Sequence, residues 1–166
     1  FLPPFPFFFF PSPLFSSFSP PPPPSLIKKT KQGTPFTGGW CRPQTDGPGL
    51  RAITLVDFAN HQIAAGNKDY VQKQVYSVIQ TDLAWLTANW QSSGCDLWEE
   101  IHSTDFFWNR FTMRRGLVMA AQLATTLGDA TSAGLYNSTA AAIGATLNNH
   151  WNGQFVLEEQ SRQKDA

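Results

Sequence analysis

Residues 94–101 read Gly-Cys-Asp-Leu-Trp-Glu-Glu-Ile. Three carboxylates, Asp96, Glu99 and Glu100, crowd around one indole, Trp98, in a short loop between two segments of helical pattern. Like charges this close oppose each other's ionisation, and an apolar ring thins the local solvent. In such a cluster one carboxyl can stay protonated near neutral pH. A protonated acid beside an aromatic platform suits protonation of a glycosidic leaving oxygen. Taken alone, the octet also fits an exposed acidic loop. The rest of the chain decides between the two.

The flanking sequence must position these groups. Asp46-Gly47-Pro48-Gly49 marks a helix start, with Asp as the cap and Pro in the first turn. A helix over residues 50–65 then carries Leu50, Ile53, Val56 (or Leu55) and Ala59 at helical spacing and ends near Gly66. Asp69 caps a second helix, with Gln72 at its third position. Its apolar stripe is Val71, Val75, Val78, Ile79, Leu83, Leu86 and Trp90, and Ser92-Ser93-Gly94 stops it. A third helix spans about residues 105–127, with Phe107, Phe111, Leu117, Ala121 and Ala124 inside, closed by Gly128. Asp129 opens an Ala-rich fourth helix to about Asn149. Gly153 marks a turn, and Phe155-Val156-Leu157 a short extended piece.

Short connections make consecutive helices antiparallel. The helix over 50–65 runs away from the loop at 40–46, and the next runs back toward 95–100. Both polar loops therefore belong on one face of the helical array.

Composition narrows the function classes. The formal net charge is zero over 166 residues, and the basic residues are scattered. That leaves no electrostatic footprint for nucleic acid or an anionic membrane. Cys41 and Cys95 either pair or both stay free. Asn137-Ser138-Thr139 is a glycosylation sequon and a weak sign of secretion. His61, His102 and His150 have no metal-ligand spacing, and Cys95 with His102 makes a poor nucleophile pair. Arg114-Arg115 reads as a helix face. Trp90 and Trp151, on apolar faces at helix ends, read as core; Trp40 and Trp98, in polar loops beside charges, read as sugar contacts.

Residues 1–25 are a different material, with ten of the 13 prolines and eight of the 14 phenylalanines. Proline removes backbone donors and fixes φ, so this segment forms neither a helix nor a central strand, and residues 20–24 should be polyproline II. The Phe block at 7–10 is too short to span a bilayer and lacks the basic start of a signal peptide. Three origins fit: translated non-coding sequence, a ligand for a partner's peptide groove, or a linker. The domain reading is a low-complexity segment over 1–33 and a helical domain over 34–166. The chain begins with Phe and stops at Lys164-Asp165-Ala166 without a helix end, which suggests a fragment.

At this point the residues resemble a family. Trp40-Cys41-Arg42-Pro43-Gln44-Thr45-Asp46-Gly47-Pro48-Gly49-Leu50-Arg51-Ala52 resembles the fungal glucoamylase stretch W-G-R-P-Q-x-D-G-P-x-L-R-A. Asp82-Leu83 through Trp90, followed by Gly94 to Glu100, is similar to the same family's D-L-W-E-E block. Phe106-Phe107, Arg115 with Leu117-Val118, and Ser161-Arg162 with Lys164-Asp165-Ala166 continue the match in order.

The resemblance implies an all-α fold, part of an (α/α)6 toroid, and removal of glucose from non-reducing ends of starch and malto-oligosaccharides with inversion. It places the general acid on Glu99. It makes Asp96 and Glu100 shapers of the site that bind sugar, and Trp40 a residue packing on the sugar near the acid. Leu97 and Trp98 would line the first subsites, with Arg42 and Asp46 beside them. It further implies a secreted monomer with no cofactor and no metal, and with starch as its partner rather than nucleic acid or membrane.

Two positions depart from the pattern. Cys41 replaces a glycine, and Cys95 stands where an aromatic is common. An inverting hydrolase also needs a base roughly 6.5–9.5 Å from its acid. In the family that base lies beyond the position of Ala166, and an upstream Trp–Thr–Arg–Asp block has no counterpart here. Asp96 and Glu100 share the acid's side of the sugar ring, which makes them poor substitutes. The expectation is a fragment that carries the acid and is inactive alone. A trehalase-like toroid enzyme, or a non-catalytic helical interaction or sugar-binding module whose Pro-rich arm recruits a partner, are the competing readings.

Overall fold

A computed structural model describes residues 31–34, 39 and 41–161. Trp40, the Pro/Phe-rich segment and residues 162–166 lie outside the described residues. The architecture is α-helical: α1 (Gly47–Ala64), a short α2 (Lys68–Tyr70), α3 (Tyr76–Asn89), α4 (Phe107–Leu127) and α5 (Ala130–Leu147). A two-stranded antiparallel ribbon, β1 (Gly94–Cys95) with β2 (His102–Ser103), interrupts the helices between α3 and α4.

α1 starts as the Asp-Gly-Pro-Gly signal predicts, with Pro48 in its first turn. The Asp46 side chain does not cap it; it accepts a hydrogen bond from the Trp108 indole N–H at 2.9 Å instead. The buried face keeps Val56 and Ala59, as expected, and departs in its first turn. Leu50 is 39% exposed, and Gly49, Ala52, Val56 and Ala59 face inward. Size chooses this face. A Cβ on Gly49 would sit 2.9 Å from the Met113 backbone, and one on Gly116 would sit 2.8 Å from the Gly49 carbonyl oxygen. Two glycines let α1 and α4 approach backbone to backbone, which a Leu50-centred face would prevent.

The second expected helix forms as consecutive helical segments with a π-helical turn over Val71–Val75. The wider turn keeps Val71, Val75 and Tyr76 all buried, while Val78, expected in the stripe, is exposed. Asp69 is not its cap. Asn67 holds that position without a side-chain bond, and Asp69 pairs with Lys73 one turn on, at 3.1 Å. α4 begins at Phe107, later than expected, because Phe106 is extended and bridges Glu159. Phe111 is 48% exposed, not internal, and stacks on Phe107 at 5.7 Å between centroids. Gly128 closes α4 at φ 87, in the left-handed conformation. Asp129 caps α5 through a 3.0 Å bond from the Ser132 amide.

The core is aliphatic: Val56, Val71, Ile79, Leu83, Leu86, Leu117, Leu123 and Ile143 are within 1% of full burial. α1 packs on α3 and α4, and α4 on α5. One ion pair crosses this packing. Arg51 of α1 donates Nε and Nη2 to the fully buried Asp82 of α3 at 2.5 and 2.6 Å. Trp90 packs at the core edge beneath the Arg110 guanidinium, as expected. Trp151 does not belong to the core: it is 56% exposed and bridges Val156 across the turn at Gly153.

Candidate functional site

The acidic octet is a tight turn held by its own aspartate. Asp96 Oδ1 accepts from the amides of Glu100 at 2.7 Å and Ile101 at 3.1 Å, and Oδ2 accepts from Trp98 at 3.3 Å. A short side chain that collects three backbone N–H groups replaces the ladder bonds the turn lacks. Glu99 lies at φ 62, the single non-glycine residue with positive φ among the described residues. Holding a side-chain-bearing residue there costs about 1–3 kcal/mol, so the surrounding bonds must impose it. The result projects Trp98, which is 78% exposed, and leaves Leu97 exposed beside it.

This turn is fastened to the 41–46 loop, as the antiparallel topology predicts. Cys41 and Cys95 form a disulfide, which resolves the two thiol alternatives. The Cys95 amide donates to Pro43 O at 2.8 Å. Asn109, buried on α4, donates to both Thr45 Oγ1 and Cys95 O, at 2.9 and 2.8 Å. Trp108 reaches Asp46, also from α4. Cys41 and Cys95 are therefore one feature, a covalent tie between the two loops. Arg42 and Asp46 stand on the tied loop.

Cys41, Cys95 and His102 converge within 4.8 Å, as a metal site would require. Their sulfurs are bonded to each other, so neither is a thiolate ligand or a nucleophile. His102 Nε2 lies 2.6 Å from Arg42 O, a contact that further joins the ribbon to the loop.

A cavity of about 220 Å³ opens beside the turn. Asp96, Trp98, Glu100 and Ile101 line one wall, Leu157, Glu158 and Glu159 the other, and Phe106 adjoins both. Glu99 and Leu97 are not among its lining residues. The second wall is anchored at both ends. Leu157 exchanges hydrogen bonds with His150, amide to carbonyl at 2.8 Å and imidazole Nδ1–H to carbonyl at 2.9 Å, and the Phe107 amide donates to Glu158 O at 2.8 Å. Partial desolvation at the cavity rim pushes the Glu158 carboxyl above its ordinary value although its side chain is exposed, and the negative charge of Asp96 adds to the effect. A Trp108 amide hydrogen bond opposes both.

Sequence reasoning missed Trp108, Asn109 and Glu158. Asn109 did carry a signal: it is a polar residue on the stripe of Thr112, Met113, Gly116 and Leu117, where a buried amide must find partners. Glu158 carried none, because its approach to the octet depends on the chain returning after α5.

Antiparallel helices joined by short loops, with an acidic turn and an exposed indole at one end, define an all-α fold, part of an (α/α)6 toroid. The description Glycosyl hydrolases family 15 matches residues 22–166, and the chain belongs to that family. Glucoamylase-1 of Schizophyllum commune is 40% identical over 119 residues, covering 72% of this chain and 20% of that protein. The glucoamylase of Blastobotrys adeninivorans is 38% identical over 137 residues, covering 76% and 22%. Among solved structures, the glucoamylases of Hormoconis resinae and Hypocrea jecorina superpose with TM-scores of 0.70 and 0.71 at 37% and 36% identity. Each covers 76% of this chain and 21% of the solved one. The chain thus spans about a fifth of the relatives it matches. The family match begins upstream of the boundary drawn at residue 34.

Proposed function

We propose that this chain carries the acid half of an inverting glycoside hydrolase that releases glucose from non-reducing ends of starch and malto-oligosaccharides. One observation carries the reading. The Asp96-organised turn presents an exposed Trp98 beside a carboxylate-lined cavity, and a covalent tie holds it against the Arg42–Asp46 loop. An indole face suits the C–H face of a sugar ring, and carboxylates suit its hydroxyls. Glu99 is the proposed general acid, Asp96 the organiser of its turn, and Leu97, Trp98 and Glu100 the sugar contacts, with Trp40 as a further contact from the tied loop.

The acid would protonate the leaving oxygen while a base activates water on the other face of the ring. Asp96 and Glu100 lie on the same short turn as Glu99 and cannot also occupy that other face. The reading therefore includes a chain that binds sugar without turning it over. It further includes a secreted monomer acting without cofactor or metal. No described helix is long and apolar enough to cross a membrane.

The test is calorimetric titration of the 166-residue chain with maltose and trehalose, beside a glucose-release assay on soluble starch. Maltose binding that is lost in Trp98→Ala, with no glucose released, is the expected result. No maltose binding would overturn the reading, and a preference for trehalose would move it to a trehalase-like enzyme. Glucose release abolished by Glu99→Gln would overturn the inactivity of the chain while keeping the acid assignment.

A further inference from the structure

The wall of the cavity opposite the acidic turn holds a carboxyl with no role in the site so far. Glu158 is carried on a short return segment whose backbone is fixed on both sides. His150 grips Leu157 through two hydrogen bonds, Phe107 donates its amide to Glu158 O, and Glu159 bridges Phe106. The position of Glu158 is thus set by buried anchors, although its own side chain is reached by solvent.

The bland reading is that Glu158 only sits at the start of α4, where the nearby Trp108 amide favours its charged form. A carboxylate offers about four acceptor directions, of which one amide can take at most one, and Glu158 lines the cavity. Asp96 is placed differently, with both of its oxygens committed to the amides of its own turn. The cavity is also small. At about 220 Å³ it falls below the roughly 300–1,000 Å³ of pockets for drug-sized ligands, which suits a single sugar ring. Such a ring needs an apolar face to stack on and a hydrogen-bonding partner for its rim. Trp98 supplies the face from one wall. Glu158 supplies the partner from the other.

We propose that Glu158 is a sugar-contacting residue that hydrogen-bonds a hydroxyl of the glucose unit stacked on Trp98 and sets affinity at that position. The proposal rests on the sugar-binding reading above. A carboxyl that ionises reluctantly serves this role in both forms, as a donor when protonated and as an acceptor when charged.

The experiment is calorimetric titration of the 166-residue chain with maltose for three proteins: the parent, Glu158→Gln and Glu158→Ala. Glu158→Gln keeps an acceptor of the same size beside the Trp108 amide, so α4 is expected to start as before, and thermal melting checks this. Glu158→Ala is expected to bind maltose about tenfold more weakly, the effect of one lost charge-assisted hydrogen bond, with Glu158→Gln in between. Parent-like maltose affinity in both variants would overturn the proposal and leave the sugar-binding reading standing. No maltose binding by the parent would remove that reading and this one together. Affinity that falls only in step with the melting temperature in both variants would assign Glu158 to the start of α4 and overturn the contact.

Discussion

Asn109 does the work of two fasteners with one amide group. Its Nδ2 holds Thr45 on one loop and the Cys95 carbonyl on the other. Replacing it with alanine leaves both acceptors buried without their donor, which costs about 1–3 kcal/mol. Chemical denaturation should register that loss, and the variant should also bind maltose more weakly because the two loops part. Asp129 is a second residue whose effect is local. Amide and hydroxyl bonds from Ser132 hold its carboxyl below its ordinary value of 3.8. A lowered folded value means that the charged form is the one folding favours. Its contribution is present above the unfolded carboxyl pKa and is lost as pH falls through the lower folded value. Asp129→Asn keeps a capping side chain and removes the charge. Its melting temperature should lie below the parent's near pH 6, and the gap should close only as pH falls below about 4 and through the lowered folded value. The role of Asp129 was legible in the sequence because capping is a one-residue chemistry. The role of Asp46 was not: a cap must compete with any better partner, and the Trp108 indole from α4 won.

Between α3 and α4 the chain uses one strand pair and a disulfide to position six residues. The disulfide closes a span of 54 residues. Chain-entropy arithmetic for a loop of that size gives about 4 kcal/mol of stabilisation. Reduction with a dithiol, or the paired Cys41→Ser and Cys95→Ser change, should lower stability by up to that amount in a denaturant titration. Because the tie joins the 41–46 loop to the acidic turn, maltose affinity should fall as well. Undiminished affinity in the reduced chain would show that the non-covalent ties suffice. The periodicity of α1, α3 and α4 was legible, since an apolar stripe at helical spacing reports which stretches pack, and α5 was legible from its Asp129 start and Ala-rich run. What the pattern did not disclose was the first turn of the α1 face. It placed Val56 and Ala59 inward correctly but also favoured Leu50, while the close approach permitted by Gly49 and Gly116 turned Gly49 and Ala52 inward. Gly116→Val should therefore destabilise the pair far more than a typical surface change, because its Cβ would meet backbone at 2.8 Å rather than a side chain that can move.

Across the whole molecule, two distant sequence stretches are joined at both of their ends. The stretch from Cys41 to Ala52 meets the one from Asp82 to Glu100 through the disulfide at the loops and through Arg51–Asp82 inside the helices. The second tie is the costly one. Asp82 is fully buried and takes a bidentate guanidinium, and the pairing holds Arg51 above its ordinary pKa. A buried carboxylate left without its partner is strongly destabilising, whereas removing both charges together need not be. Arg51→Ala should lose about 3–5 kcal/mol in chemical denaturation. The double change Arg51→Met with Asp82→Leu should lose clearly less than the sum of its single changes, since no charge is then stranded. If the two single losses add, the pair is not coupled, and its place in both stretches would reflect separate roles. If they fail to add, the link between the stretches extends below the site into the core. The acidic turn would then owe its position to the helix packing beneath it as much as to the bonds around it.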